Sequence, residues 1–459
     1  MSSKRVWVVL PDQLSTRLFV DTGILTGLSD RLDGAVDAVL VGDGAGWSEG
    51  TGGVRAIAAA ELDAGHVSPA DRLHRSVDRQ LDPWIGYYPL AIRLSMRHGF
   101  HRERMAPGHE NWMLDSSRAG PLPRWDRLAR RMAAWHYGRT RYVPRMLRER
   151  MRRECDALVL SNVQPQVVVP FLVSARRLGI PIVAHVASWD HTVGKGVIAP
   201  FCHVYIVQNA TMRDDLTRYH EIELGRIVVT GWPQTDVYAR QRPREDFDGV
   251  LRSLDLDPAL PLVAVMGNTP TNAPFEDRFV ERVVRWWEAE GRGRMTLLFR
   301  PHPRDRAWRE RFAAALSTTG VHVQEASFTD LDVLATILQH ASCVVANAGT
   351  ILLEALVNDR PAVCVLYDED APPGESWAMK NVIGEHYREL AASDAFYPAK
   401  RFEDVVSGIE RSLGAPAELR DARTRVVSEI VGEVDGHAAE RVVDAVLGIV
   451  GEIVTGDSG

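Results

Sequence analysis

Short, continuously apolar runs recur along the chain with helical periodicity between them. In the first half they fall at 6–10, 36–41, 157–160, 167–169, 182–185, 204–207 and 227–229. Strands that are apolar throughout, separated by helices, predict a parallel sheet covered on both faces. Between about 44 and 154 the alternation lapses, and an Arg- and Trp-rich stretch reads as a helical insertion. Around 239–261 the composition turns polar and proline-bearing, as in an interdomain linker. A second series follows, with strands at 262–266, 296–299, 322–324, 343–346 and 362–366. Its helices are expected at 277–289, 307–317, 331–340 and 350–357, and later ones at 401–413 and 438–450.

The pattern predicts an α/β protein of two Rossmann-like, doubly wound domains facing across a cleft. The expected N-terminal domain is 1–238 with its insertion at about 44–154, and the C-terminal domain is 261–436. Whether the last helix, in 437–459, crosses back onto the first domain stays open. A length of 459 residues agrees with two domains, since one core rarely serves so many. Ligands of such sheets bind beyond the carboxyl ends of the strands, so the residues just after strands carry the candidate chemistry.

The most informative stretch runs from Val344 to Tyr367, a strand, a small-residue turn Asn347-Ala-Gly-Thr350, a helix and a second strand. Open N–H groups at a helix start, with the positive end of its dipole, favour an anion such as phosphate. Only Gly349 is a glycine, so this is not the three-glycine dinucleotide fingerprint. Glu354, one helical turn past Thr350, lies on the same face and can reach a ribose hydroxyl. Equally, Thr350 can serve only as a cap and Glu354 can face water.

Three further loops matter. Gly267-Asn268-Thr269 is small and polar, suited to a phosphate or transferred group. In Arg300-Pro-His302-Pro-Arg304 two prolines fix the backbone around the imidazole, and the arginines bring positive charge for a departing diphosphate. Asp368 opens an acidic triplet that lacks partners for a metal and is suited to sugar hydroxyls. In the first half, Asp190 or His191 can take a proton from an acceptor hydroxyl, Lys195 can balance a phosphate, and Asp12 follows the first strand. Either acid can instead cap a helix. His109 is a candidate for acceptor contact, and no second histidine stands at metalloprotease spacing from it.

Bulk charge narrows the partners. A net charge of −7 gives no general reason to expect nucleic acid. Four cysteines without CxxC spacing read as core residues in a reducing compartment. Lys4-Arg5 before a five-residue apolar run reads as the approach to a first strand, too short for a signal peptide, and no run approaches the roughly 20 apolar residues of a membrane span. The expected location is cytoplasmic. From Arg93 to Arg153, sixteen arginines stand against five acids with aromatics between them. That is a face docking peripherally on anionic lipid at the inner membrane, presenting a lipid-linked acceptor, or a subdomain whose arginines pair with acids elsewhere, or a nucleic-acid surface, for which no binding motif accompanies the charge.

Taken together, Ser188-Trp-Asp190 with Lys195-Gly196, Val229-Thr-Gly-Trp-Pro-Gln-Thr-Asp236, Arg300-Pro-His-Pro303 and Asn347-Ala-Gly-Thr-Ile-Leu-Leu-Glu354 resemble GT-B type glycosyltransferases. Within that superfold they are most similar to bacterial surface-polysaccharide transferases and CDP-glycerol glycerophosphotransferase-like enzymes. The resemblance implies a nucleotide-diphosphate sugar (UDP, GDP, dTDP or CDP) as co-substrate, held by the C-terminal domain. His302 and Thr350 are then expected on phosphate and Glu354 on ribose, with a hydroxyl acceptor entering from the N-terminal domain. It also implies no permanently bound cofactor and no metal. The expected activity is metal-independent glycosyl transfer. Rivals are a CDP-glycerol-type glycerophosphotransferase, a nucleotide-sugar epimerase and a non-catalytic binding protein.

Overall fold

The computed structural model describes residues 4–41, 47, 53–63, 69–82, 135, 142–164, 166–194, 198–199, 201–325, 327, 330–373, 375, 377–382 and 387–455. Among these the chain forms two α/β units. One ends its main run at Asp236 and takes up the chain again from Val434, and the other spans Val237–Glu433.

The first unit is built on β1 (Val6–Leu10), β2 (Val36–Leu40), β3 (Arg55–Ala58), β4 (Ala157–Leu160), β5 (Ile182–His185), β6 (Val204–Val207) and β7 (Ile227–Val229). They form one sheet in the order β3-β2-β1-β4-β5-β6-β7, and every pair is parallel. β1, all five of whose residues are buried, starts at the centre, and the chain later crosses to its other side at β4. β3 corrects the expectation that this stretch is helical. It shows one buried residue, Ile57, so no apolar run announces it. Its Arg55 instead donates twice to the fully buried Asp37 on β2, at 2.8 and 2.7 Å, and Arg5 adds a third bond at 3.0 Å. A buried carboxylate persists in a strand only when paired in this way.

The strand expected at 167–169 is a helix start. Val169–Leu178 is an α-helix with Pro170 in its first turn, where a fixed φ and a missing N–H suit the position. At the chain's end, helix Ala438–Thr455 contributes Val442, Val443, Val446 and Val450 to the core of the first unit, against Leu25, Leu28 and the strands. Asp236 caps it from 202 residues upstream, accepting from Ala438 N at 3.1 Å and Ala439 N at 2.7 Å.

The second unit carries β8 (Leu262–Met266), β9 (Thr296–Arg300), β10 (Val321–Val323), β11 (Cys343–Asn347), β12 (Ala362–Val365) and β13 (Tyr397–Ala399), all parallel, in the order β10-β9-β8-β11-β12-β13. This is the strand order of a dinucleotide-binding sheet, whose switch point lies between the first and fourth strands, here β8 and β11. The stretch expected to be a linker contains helix Arg244–Ser253, with Phe247 and Leu251 buried. All four cysteines are free and buried. Among the described residues no helix is long and apolar enough to cross a membrane.

Candidate functional site

The register of the second sheet sets its carboxyl edge. Met266 pairs with Arg300 on one side and with Ala346 on the other. Gly267, Pro301 and Asn347 therefore stand at one level, and Asn268, His302 and Ala348 at the next. At a strand spacing of about 4.8 Å, the loop after β9 and the helix start after β11 flank β8, roughly 10 Å apart. Asn268 bridges the switch point by donating from Nδ2 to Asn347 Oδ1 at 3.3 Å.

His302 is held in one protonation state. The Arg304 N–H donates to its Nδ1 at 3.0 Å, which leaves the proton of the neutral ring on Nε2. Burial, and then the Arg304 charge, lower its pKa from 6.5 to about 4. The ring is thus a neutral donor at ordinary pH, ready for an anion at Nε2–H.

The start of helix Thr350–Val357 differs from two other helix starts that follow strands in this chain, whereas the helices after β8, β9, β10 and β13 likewise have no side-chain cap. Asp12 caps the helix after β1, with φ −156° and ψ 168°, and accepts from Ser15 N. Asn209 caps the helix after β6, with φ −147° and ψ 173°, and accepts from Met212 N. Gly349 occupies the equivalent place with φ −176° and ψ 175° and brings no side-chain cap. That backbone is open to any residue, and a Cβ at Gly349 would come no nearer than 3.9 Å to the protein, at Asn347 O. Neither backbone nor packing requires glycine here. Thr350 is exposed and is not the cap.

Other expected donor residues are engaged within the protein. Arg300 is buried and donates to Gln324 Oε1 and to Asp330 Oδ2 at 2.7 Å, so its charge is paired away from a ligand. Asn347 donates to Val365 O at 2.7 Å and accepts from Asn381 Nδ2 at 2.6 Å, a structural hub between strands. Asp368 accepts from Ala378 N at 2.9 Å in the first turn of helix Trp377–Val382. Glu354 is buried, which overturns a water-facing position, and it accepts a hydrogen bond from the Tyr238 hydroxyl.

In the loop after β8 the first three backbone donors are spent. Gly267 N donates to Arg300 O at 2.9 Å, Asn268 N to Glu276 Oε1 at 2.8 Å and Thr269 N to Asn268 Oδ1 at 2.8 Å. What the loop keeps for a ligand is hydroxyl chemistry, from Thr269 and Thr271, which lie 3.0 Å apart. Gly267 itself answers a packing need, since a Cβ would sit 3.0 Å from Phe312 and 3.2 Å from Pro301 Cα.

In the first unit, Asp12 is the helix cap just described, its Oδ1 accepting from Ser15 N at 2.8 Å. Asp190 accepts from Ser188 Oγ and lies 3.9 Å from His191 Nε2. Thr192, next in the chain, is fixed by its bond to Asp215 Oδ2 at 2.8 Å, and His220 Nε2 donates to Thr192 O at 2.8 Å. Lys195, His109 and most of the arginine-rich stretch lie outside the described residues. Of its described arginines, Arg145 pairs with Glu149 at 2.6 Å, and Arg150 with Glu61 and Glu154 at 3.3 Å each. Among the described residues no group of three or more His, Cys, Asp or Glu is placed to hold a metal ion.

Sequence reasoning missed Glu276, Asp305 and Arg311, which stand behind the loops after β8 and β9. Asp305 carried a local signal, since its carboxylate accepts from Ala307 N at 3.0 Å in an Asx turn. Tyr238 and Asn381 carried none, as their partners lie 116 and 34 residues away.

No family model and no curated protein matches the sequence. Solved structures do match its fold. UDP-GlcNAc 2-epimerase from Neisseria meningitidis, bound to UDP-GlcNAc, is similar at 8% identity and TM-score 0.53, over 97% of this chain and 100% of that one. UDP-GlcNAc 2-epimerase from Methanocaldococcus jannaschii is similar at 13% and 0.51, over 96% and 99%. A glycosyltransferase from Rickettsia africae ESF-5 is similar at 9% and 0.51, over 97% and 99%. The two parallel-sheet α/β units of this chain therefore have the GT-B type, Rossmann-like fold that the residue pattern predicted.

Proposed function

We propose that the protein is a glycosyltransferase that binds a nucleotide-diphosphate sugar at the carboxyl edge of its second sheet and moves the sugar to a hydroxyl acceptor. The observation that carries this reading is the pairing, on either side of β8, of a neutral Nε2–H imidazole with a helix start left uncapped by Gly349. Both are donors to an anion, and together they suit a diphosphate better than a carboxylate or a neutral ligand. The likeness to a structure bound to UDP-GlcNAc supports a nucleotide sugar as the ligand.

In this reading His302 Nε2–H and the amides at Thr350 and Ile351 stabilise the charge that grows on the diphosphate as its bond to the sugar breaks. The hydroxyls of Thr269 and Thr271 add neutral donors. Glu354, with its carboxylate engaged by Tyr238, is assigned to the ribose. The acceptor proton goes to Asp190 or His191 in the first unit, and separate Asp190→Asn and His191→Gln variants assign it. The arginine-rich stretch is left to the acceptor, with Lys195 and His109 as its candidate contacts.

The test is a panel of purified protein against UDP-, GDP-, dTDP- and CDP-linked donors with product analysis. Sugar transfer, with release of a nucleoside diphosphate, supports the proposal. Release of CMP from CDP-glycerol instead means a glycerophosphotransferase. Two of the three structures compared above carry the name of a 2-epimerase, which favours that activity as the second reading. An epimerised sugar formed from the donor without acceptor establishes it. No thermal shift with any nucleoside diphosphate means a protein without the nucleotide site.

A further inference from the structure

We propose that Arg311 is a positioning residue for this site: one buried guanidinium locks the loop after β8 to the loop after β9 and so fixes the direction in which His302 presents its proton. The inference rests on the diphosphate reading for its ligand but not for its geometry.

Arg311 is the last residue of the short helix Trp308–Arg311 in the second unit, with its side chain almost wholly buried. It donates to four acceptors. Two belong to the segment after β8, the carbonyls of Asn268 at 3.2 Å and of Ala273. The third is Glu276 Oε2 at 2.9 Å, whose other oxygen holds the Asn268 N–H. The fourth is Asp305 Oδ2, whose side chain is fully buried. Asp305 closes the turn that carries the imidazole, because its N–H donates to His302 O at 2.8 Å. Inside that turn the Arg304 N–H reaches His302 Nδ1. The chain of contacts runs from Asn268 through Arg311 to Asp305 and His302 without a gap.

Two carboxyl groups face one guanidinium in a dry place, and burial pushes the Glu276 carboxyl up to about 8, so its negative charge is largely suppressed near neutral pH. Such an arrangement is poor as a source of stability and persists where geometry matters. The planar fork reaches four acceptors in fixed directions, which a lysine ammonium on a flexible stem does not reproduce. Arg311→Lys therefore keeps the charge and removes the geometry. Freed from its clamp, the 302–305 turn loses the alignment of the Arg304 N–H with Nδ1. The ring is then free to exchange between tautomers.

The experiment compares wild type, Arg311→Lys and Asp305→Asn. The His302 tautomer is read at pH 7.5 from ring nitrogen shifts in histidine-labelled protein, assigned by His302→Gln. Affinities for UDP, inorganic pyrophosphate and uridine are measured on the same samples, with melting curves to show that each folds. Wild type should hold the Nε2–H form. In each variant that folds, the signal should become a tautomer mixture, and UDP and pyrophosphate affinity should fall by about tenfold or more, with uridine little changed. A pure Nε2–H signal in a folded Arg311→Lys or Asp305→Asn protein overturns the proposal, and so does a loss of uridine affinity equal to that of UDP. Should wild type bind neither UDP nor pyrophosphate, the diphosphate reading fails, and the tautomer comparison still decides the role of Arg311.

Discussion

Placing a carboxylate at Gly349 should leave the fold intact and abolish diphosphate binding. At Asp12 and Asn209 this chain already caps helices from nearly the same backbone angles that Gly349 adopts. In Gly349→Asp the new side chain has room, with no atom of the protein nearer than 3.9 Å to its Cβ. Its carboxylate then accepts the amides at the start of helix Thr350–Val357. Replacing glycine by a better cap, adding an acid at the positive end of the helix, and reducing the freedom of the unfolded chain should together stabilise the protein by up to about 1 kcal/mol. The same carboxylate stands where the phosphate is expected. Two like charges about 4 Å apart, at an effective dielectric constant of about 20, repel by about 4 kcal/mol, or roughly a thousandfold in affinity. Thermal denaturation with and without UDP, GDP and CDP reads both effects. An unchanged or raised melting temperature with the ligand shift lost is the expected result. Retention of the ligand shift in Gly349→Asp would refute the assignment of an anion to this helix start.

Replacing His302 by alanine should lower kcat/KM about a hundredfold, near 3 kcal/mol of transition-state stabilisation, and a fully active variant removes the imidazole from the mechanism. His185 is fully buried, donates from Nδ1 to Ser161 O at 2.8 Å, and has its pKa lowered by burial to about 4. The unfolded chain binds the proton near 6.5 and the folded chain does not, so stability is complete above pH 6.5 and falls as pH drops toward 4, by up to about 3 kcal/mol. His302 adds a smaller effect of the same sign, being partly exposed. Denaturant midpoints of His185→Asn measured across this range should show a shallower slope than wild type, and an equal slope rejects the linkage. Asp236→Ala should cost about 1–2 kcal/mol by leaving the amides of Ala438 and Ala439 without their acceptor. Faster hydrogen exchange in helix Ala438–Thr455 reports it, and unchanged protection there contradicts the capping role.

Much of this fold was legible because parallel strands covered on both faces read as unbroken apolar runs. Val6–Leu10, Leu262–Met266 and Cys343–Asn347 are such strands. Two of the four edge strands were not legible. β3 buries one residue, and β13 carries Pro398, which an edge position tolerates but a sequence pattern reads as a break. The run at Val167 misled because three β-branched residues outweighed the proline that starts a helix beside them. The site was legible as loops, since His302 and Gly349 follow strands at matching levels. It was not legible as bonds. Arg300 looked like a phosphate ligand until Asp330, thirty residues on, took its charge. For Asp12 the sequence left base and helix cap open, and the bond from the Ser15 amide shows the cap. The residues that hold the loops, Arg311 and Glu276, meet only after folding.

The most direct test is a crystal structure determined with UDP bound. The account predicts the diphosphate at the β8 switch point of the second sheet, with His302 Nε2 and the Thr350 amide both within hydrogen-bond reach, about 3 Å, of its oxygens. A well-ordered UDP whose phosphates touch neither group contradicts it.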